Sequence, residues 1–98
     1  MNNKHYILKN KEVIESDFMT WAKFFESKER IVKQEEVNGY KVSTVFLGID
    51  HNFGEGKPLL FETMVFGGKD EEQERYSTYK QAEQGHKKMV DKYKKLKK

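Results

Sequence analysis

The stretch VSTVFLGIDHNFGEGKPLLFETMVFGG, residues 42–68, decides the fold. It reads as two apolar strands joined by Asp50-His51-Asn52-Phe53-Gly54-Glu55-Gly56-Lys57-Pro58. A plain hairpin needs about two to five linking residues. This link is longer and carries an acid, an imidazole, an aromatic ring, glycines and a proline. Long loops on a rigid sheet are where binding sites concentrate, so the loop is where function is first sought. The strand before it is apolar on both faces, with Val42, Thr44 and Phe46 on one and Val45, Leu47 and Ile49 on the other. That pattern predicts a central strand covered on both sides. The strand after it, over 59–66, alternates Leu59, Phe61, Thr63 and Val65 with Leu60, Glu62, Met64 and Phe66.

Upstream, Asn38-Gly39 stands between two runs of strand formers, which is the chemistry of a two-residue type I′ hairpin. The turn sets a register: Val37 opposite Tyr40, Glu35 opposite Val42, Lys33 opposite Thr44 and Ile31 opposite Phe46. The first of these strands is largely polar and suits a sheet edge. Nearer the N-terminus, 5–8 and 12–14 are short strands turned by Lys9-Asn10-Lys11. Ser16 or Asp17 then caps a helix over 17–29. Its stripe of Phe18, Trp21, Ala22 and Phe25 is expected to pack into the core, with Phe24 off the stripe.

Downstream, Gly67-Gly68-Lys69-Asp70 ends the strand, and the acidic segment that follows is a loop or the start of a short strand through Arg75-Tyr76. Thr78 and Gln81 form a capping box. It opens a helix over 79–95 whose apolar stripe is Tyr79, Ala82, His86, Met89, Tyr93 and Leu96. The expectation is one α+β domain over 1–98: a small antiparallel sheet packed with two helices, in the order ββαβββα.

Composition bounds what such a domain can do. Its 98 residues make a modest core, stabilised by five Tyr, seven Phe and one Trp, and a homo-oligomer is plausible at this size. With no cysteine, disulfides, zinc ribbons and thiol chemistry are excluded. No apolar run approaches the roughly 20 residues of a membrane span, and the first residues lack the apolar core of a signal peptide. The reading is a soluble, intracellular protein. The net charge of +3 is concentrated in the lysine-rich 87–98, and the rest of the chain is net acidic. Lysines at a helix end suit the negative pole of its dipole. They also offer phosphate contacts, although lysine without interleaved Arg reads no base edges.

Asp50, His51, Glu62 and His86 are the residues with acid–base or metal potential. Glu62 lies within an apolar strand and needs a partner, for which His86 and Arg75 are available. Either these groups converge on a ligand or divalent metal, or Glu62 and His86 form a buried hydrogen-bonded pair while Asp50 and His51 order the loop. Their spacing matches no metal signature. The glycine loop matches neither a Walker A loop nor a dinucleotide fingerprint, so no cofactor is implied. Backbone amides of the loop, with Lys57 beside them, can cradle an anion.

The segments 44–51, 58–68, 75–78 and 82–86, read as TVFLGxDH, PLLFETMVFGG, RYST and AxxGH, resemble a family of small proteins encoded by tailed phages and prophages. Trp21-Ala22 in the first helix fits as well, and Tyr79 stands where the family pattern has Trp. The resemblance implies phage origin and a host cytoplasm, and it implies no mechanism.

The function expected is a non-catalytic phage accessory protein that sequesters a small nucleotide-type anionic ligand, or a host protein, to counter host defence. The candidate ligand-binding residues are Asp50, His51, Asn52, Phe53, Lys57, Glu62, Arg75, Tyr76 and His86, with Phe53 or Tyr76 stacking on a base. Two alternatives stand beside it: a small metal-dependent hydrolase using Asp50, His51, Glu62 and His86, and a nucleic-acid binder acting through the lysine tail.

Overall fold

The computed structural model describes residues 4–50, 56–68 and 72–96. His51, Asn52 and Phe53 lie outside the described residues. The order begins with β1 (His5–Lys9), β2 (Glu12–Ser16) and α1 (Phe18–Glu26), then a 3₁₀ turn at Lys28–Arg30. It continues with β3 (Ile31–Val37), β4 (Tyr40–Phe46), β5 (Phe61–Phe66), β6 (Gln73–Tyr76) and α2 (Tyr79–Lys94). The α+β class and the succession ββαβββα are found as the sequence predicts, with residues 73–76 added to the main sheet as a fourth strand before α2. That sheet is antiparallel in the order β3-β4-β5-β6, and β1 and β2 form a separate two-stranded ribbon.

Local chemistry explains most element ends. Asn38 and Gly39 both take positive φ (55° and 83°), as a type I′ turn requires. Val37, Glu35 and Lys33 face Tyr40, Val42 and Thr44. The register then shifts, so that Ile31 faces Val45 and not Phe46. The bulge at this point inserts Val32, which packs against the core cluster of Phe46, Leu60 and Phe61. The Asp17 carboxylate accepts from the Thr20 amide (2.8 Å) and caps α1. Ser27 is extended and stops that helix at Glu26, short of the expected residue 29. The Thr78–Gln81 capping box forms as expected.

One face of the sheet carries the core. Val42, Thr44 and Phe46 of β4, Phe61, Thr63 and Val65 of β5, and Tyr76 of β6 point at α2 and the β1–β2 ribbon. Val65 and Val42 pack with Met89, Val90 and Tyr93 at one end. Phe46, Phe61 and Tyr76 pack with Leu60 and Ala82 at the other, where Tyr6, Leu8, Val13 and Phe24 close the core. The opposite face bears Ser43, Val45, Glu62, Met64 and Arg75, and among the described residues no helix covers it. β4 is therefore central, as expected, but covered by helices on one side only.

α1 departs from expectation in its rotation. Phe24, the off-stripe residue, is the one that enters the core, meeting Phe46 edge-to-face at 5.9 Å. Phe18 and Phe25 of the predicted core stripe are 58% and 37% exposed. None of the nine residues of α1 is buried.

Candidate functional site

The base of the long loop is built by Asp50, whose carboxylate accepts from the Leu59 amide at 2.9 Å. This bond ties together the two ends of the loop and matches the structural alternative for Asp50. Lys57 is exposed on the descending side. Glu62 pairs with Arg75, whose Nε donates to Oε2 at 3.0 Å, as their directly opposed positions on β5 and β6 allow. That answers which partner Glu62 takes.

His86 lies elsewhere. It sits on the α2 side of the sheet, 2% exposed, whereas Glu62 projects from the opposite face. The sheet therefore separates Glu62 from His86. Asp50, at the loop end, is engaged with Leu59. Among the described residues no group of three or more His, Asp or Glu side chains is placed to hold a metal ion. Tyr76 is 8% exposed, with its hydroxyl directed inward to Thr63. Its ring is part of the core and offers no face for stacking on a base.

What surrounds His86 is a polar chain. The Tyr76 hydroxyl donates to Thr63 Oγ1 (3.1 Å). Thr63 and Thr44 share a hydroxyl bond of 2.5 Å. Thr44 Oγ1 is 2.7 Å from His86 Nδ1, and His86 Nε2 is 2.8 Å from Glu35 Oε1. An ionised carboxylate can only accept, so Nε2 carries a proton and donates to Glu35. Lys33 adds an ion pair to the same carboxylate oxygen at 3.4 Å. The bond from His86, with Lys33 alongside, holds the Glu35 carboxyl below the usual range. Gly85 makes room for this chain: a Cβ there would collide with the Tyr76 hydroxyl and ring edge.

Thr44, His86 and Glu35 repeat the order of nucleophile, base and orienting acid found in hydrolases. Thr44 and Thr63 are both 0% exposed, however, so no substrate atom reaches the hydroxyl. Glu35, Thr44 and Thr63 were not among the sequence candidates. The two threonines fall on inward positions of the strand pattern, and their meeting follows from the β4–β5 register, which pairs them directly.

Two clefts flank α2. One, of about 360 Å³, is lined by Val32, Lys33, Glu35, His86, Lys87 and Asp91 among others. The second, of about 370 Å³, is lined by Arg75, Tyr76, Gln81, Gln84, Gly85 and Lys88 among others. Of the lysine-rich end, Lys92 is engaged by Glu72 (2.7 and 2.9 Å).

Among the described residues the two most exposed large apolar side chains, Met19 and Phe18, stand on α1. Ile49, next to Asp50, bridges to His5. The His5 ring lies 5.4 Å from Phe18 and 5.0 Å from Trp21. Trp21 continues to Phe25 at 5.2 Å, over which the Arg30 guanidinium sits at 5.4 Å. Trp21 is half-buried against Gly48, its indole N–H directed at Leu47 O (3.4 Å). Phe18, Met19 and Phe25 face solvent, with Met19 65% exposed. Comparison with protein-family models, with curated proteins and with solved structures gives no match.

Proposed function

We propose that this chain is a non-catalytic binding protein that inserts one face of α1 into an apolar groove on a partner protein. The observation that carries the reading is that α1 buries none of its residues while carrying Phe18, Trp21, Ala22 and Phe25. These are the i, i+3, i+4 and i+7 positions from which an amphipathic helix is read in a groove. Exposed apolar patches of this kind mark interaction sites more often than scattered exposed residues do. Sites for small molecules are concave, whereas this surface is a convex helix face, and neither cleft beside α2 includes its rings. The burial of Thr44 supports a role without catalysis. The resemblance to small proteins of tailed phages makes the partner, in this reading, a host protein whose engagement counters host defence in the host cytoplasm.

The test is the double variant Phe18→Ser/Met19→Ser. Both side chains face solvent, so the melting temperature is expected to stay within a degree or two. A host protein captured by the wild-type chain, then purified and titrated, should bind the variant at least ~30-fold more weakly, the loss expected of a hot-spot aromatic. Equal binding overturns the reading.

A second reading is favoured by one observation: Arg75 and Tyr76, both candidates from the sequence, line the same cleft as Lys88, Gln81 and Gln84. A small anionic ligand, nucleotide-type in the fullest version, would sit against Lys88, Gln81 and Gln84, with the Arg75 guanidinium held by Glu62. A melting shift with nucleotides or inorganic phosphate that is lost in Lys88→Ala is its expected sign. No shift with any of them removes it.

A further inference from the structure

The chain Tyr76–Thr63–Thr44–His86–Glu35 has four links, at 3.1, 2.5, 2.7 and 2.8 Å. Each link uses one proton. Three hydroxyls and an imidazole protonated at Nε2 supply four. In the neutral imidazole that donates from Nε2 to Glu35, Nδ1 is bare and accepts from Thr44. Thr44 is then free to accept from Thr63, and Thr63 from Tyr76. Every donor in the buried chain is used, and every link points from Tyr76 toward Glu35. Among the described residues no buried side-chain polar atom is left without a partner.

A second proton on the imidazole leaves no consistent arrangement of this direction. Nδ1–H then donates to Thr44, and in the reversed order Thr44 donates to Thr63 and Thr63 to the Tyr76 oxygen. The Tyr76 proton is expelled from the chain. Tyr76 also lines the cleft that holds Arg75, Gln84 and Lys88, on the opposite flank of α2 from the cleft lined by Glu35 and His86. We infer that His86 and Tyr76 form a two-ended proton switch: protonation at His86 reverses the hydroxyl chain and turns the buried Tyr76 hydroxyl from a donor to Thr63 into an acceptor from it. The signal crosses beneath α2 through rotating hydroxyls, with no backbone movement.

The groups facing His86 fit this role. From β3 come the Glu35 carboxylate and, behind it, Lys33. From α2 itself, Glu83, Lys87 and Asp91 line the cleft with it. From β4, β5 and β6 only the hydroxyls of Thr44, Thr63 and Tyr76 belong to the chain. Charges stand at both ends, Glu35 and Lys33 beside His86 and Glu74 beside Tyr76, and the links between them are neutral.

The test is solution NMR of the full chain, following the His86 imidazole nitrogens and the Tyr76 ring carbons as pH is lowered. The expected result is that Tyr76 shifts with the same midpoint as His86. Thr63→Val should abolish the Tyr76 response while His86 still titrates, and Thr63→Ser should keep it. Glu35→Gln retains an acceptor for Nε2 and removes carboxylate titration as the cause, and coupling should persist there too. Should Thr63→Val fail to fold, the wild-type and Glu35→Gln midpoints still decide. Tyr76 signals that ignore the His86 midpoint, or that follow it in Thr63→Val, overturn the inference.

Discussion

Tyr76 occupies the space that a Cβ on Gly85 would fill. The glycine lies within α2, where it costs about 1 kcal/mol of helix propensity relative to alanine. What it allows is the close seat of the Tyr76 ring and hydroxyl between helix and sheet. Gly85→Ala should therefore destabilise the domain despite the better helix former. Forcing an extra methyl into a packed core costs about 1–3 kcal/mol, and the shifted hydroxyl would lose Thr63. Denaturant melts read the outcome directly; a gain in stability would mean that α2 can stand off from the sheet.

Asn38 serves two structures. Its backbone takes the positive φ of the hairpin turn, and its side-chain amide donates to the Tyr93 and Lys94 carbonyls at the end of α2 (both 3.3 Å) and also to that of Leu96. These carbonyls lie at the end of α2, where carbonyls run out of i+4 amides, and the Tyr93 carbonyl also accepts from the Leu96 amide. Asn38→Gly keeps the turn and loses the cap. Asn38→Asp also sets a negative charge on the negative pole of the helix, worth about 0.3–1 kcal/mol more. The expected order of melting temperatures is wild type, then Asn38→Gly, then Asn38→Asp. Amide exchange over the last turn of α2 should accelerate in the same order.

Acid should weaken the domain through Glu35 and Glu72. Both carboxyls are held below their ordinary value of 4.5, Glu35 chiefly by the bond from His86 and Glu72 by Lys92 and then the Tyr93 hydroxyl. A lowered value in the folded state means that the ionised form favours folding. That contribution is complete above about pH 4.5 and is lost as pH falls through the lower folded values. Glu35→Gln and Glu72→Gln should each flatten the acid limb of a stability–pH curve. An unchanged limb in both would contradict the pairings.

Alkali acts through Tyr76. Burial raises its hydroxyl above the ordinary 10.0, against the opposing bond to Thr63. The neutral phenol favours folding, so its contribution is intact below pH 10 and is lost as pH rises through the folded value. Tyr76→Phe should be less stable at neutral pH, by about 1 kcal/mol for the lost hydrogen bond. The difference from wild type should narrow above pH 10, which paired melts across pH 8–11 would show.

Legibility from sequence followed the range of the interaction. Asn38-Gly39, the Asp17 cap and the Thr78–Gln81 box are local chemistry, and each is found where the sequence places it. The bulge at Val32 is not local: it answers to the Phe46–Phe61 end of the core that the β1–β2 ribbon helps to close, and it turns Ile31 to Val45 where the turn alone predicts Phe46. Helical periodicity shows that α1 has an apolar face but not that anything covers it. The core contact was made instead by Phe24, whose partner Phe46 lies 22 positions on in the sequence. His86 and Glu35 are 51 residues apart, and only the strand order brings them together. Glu62 was better constrained, because Arg75 can reach it only from the adjacent strand.

The most direct test is a photo-reactive residue at position 19, the most exposed large apolar side chain on α1, irradiated in host-cell extract. A matched probe at position 84, on the far flank of α2, serves as control. The account predicts one discrete adduct at 19, absent at 84 and lost when Phe18 and Phe25 are changed to Ser. Identification of that adduct as a host protein would support the claim. No adduct at 19, the same adducts at both positions, or a cross-linked dimer of the chain itself would contradict it.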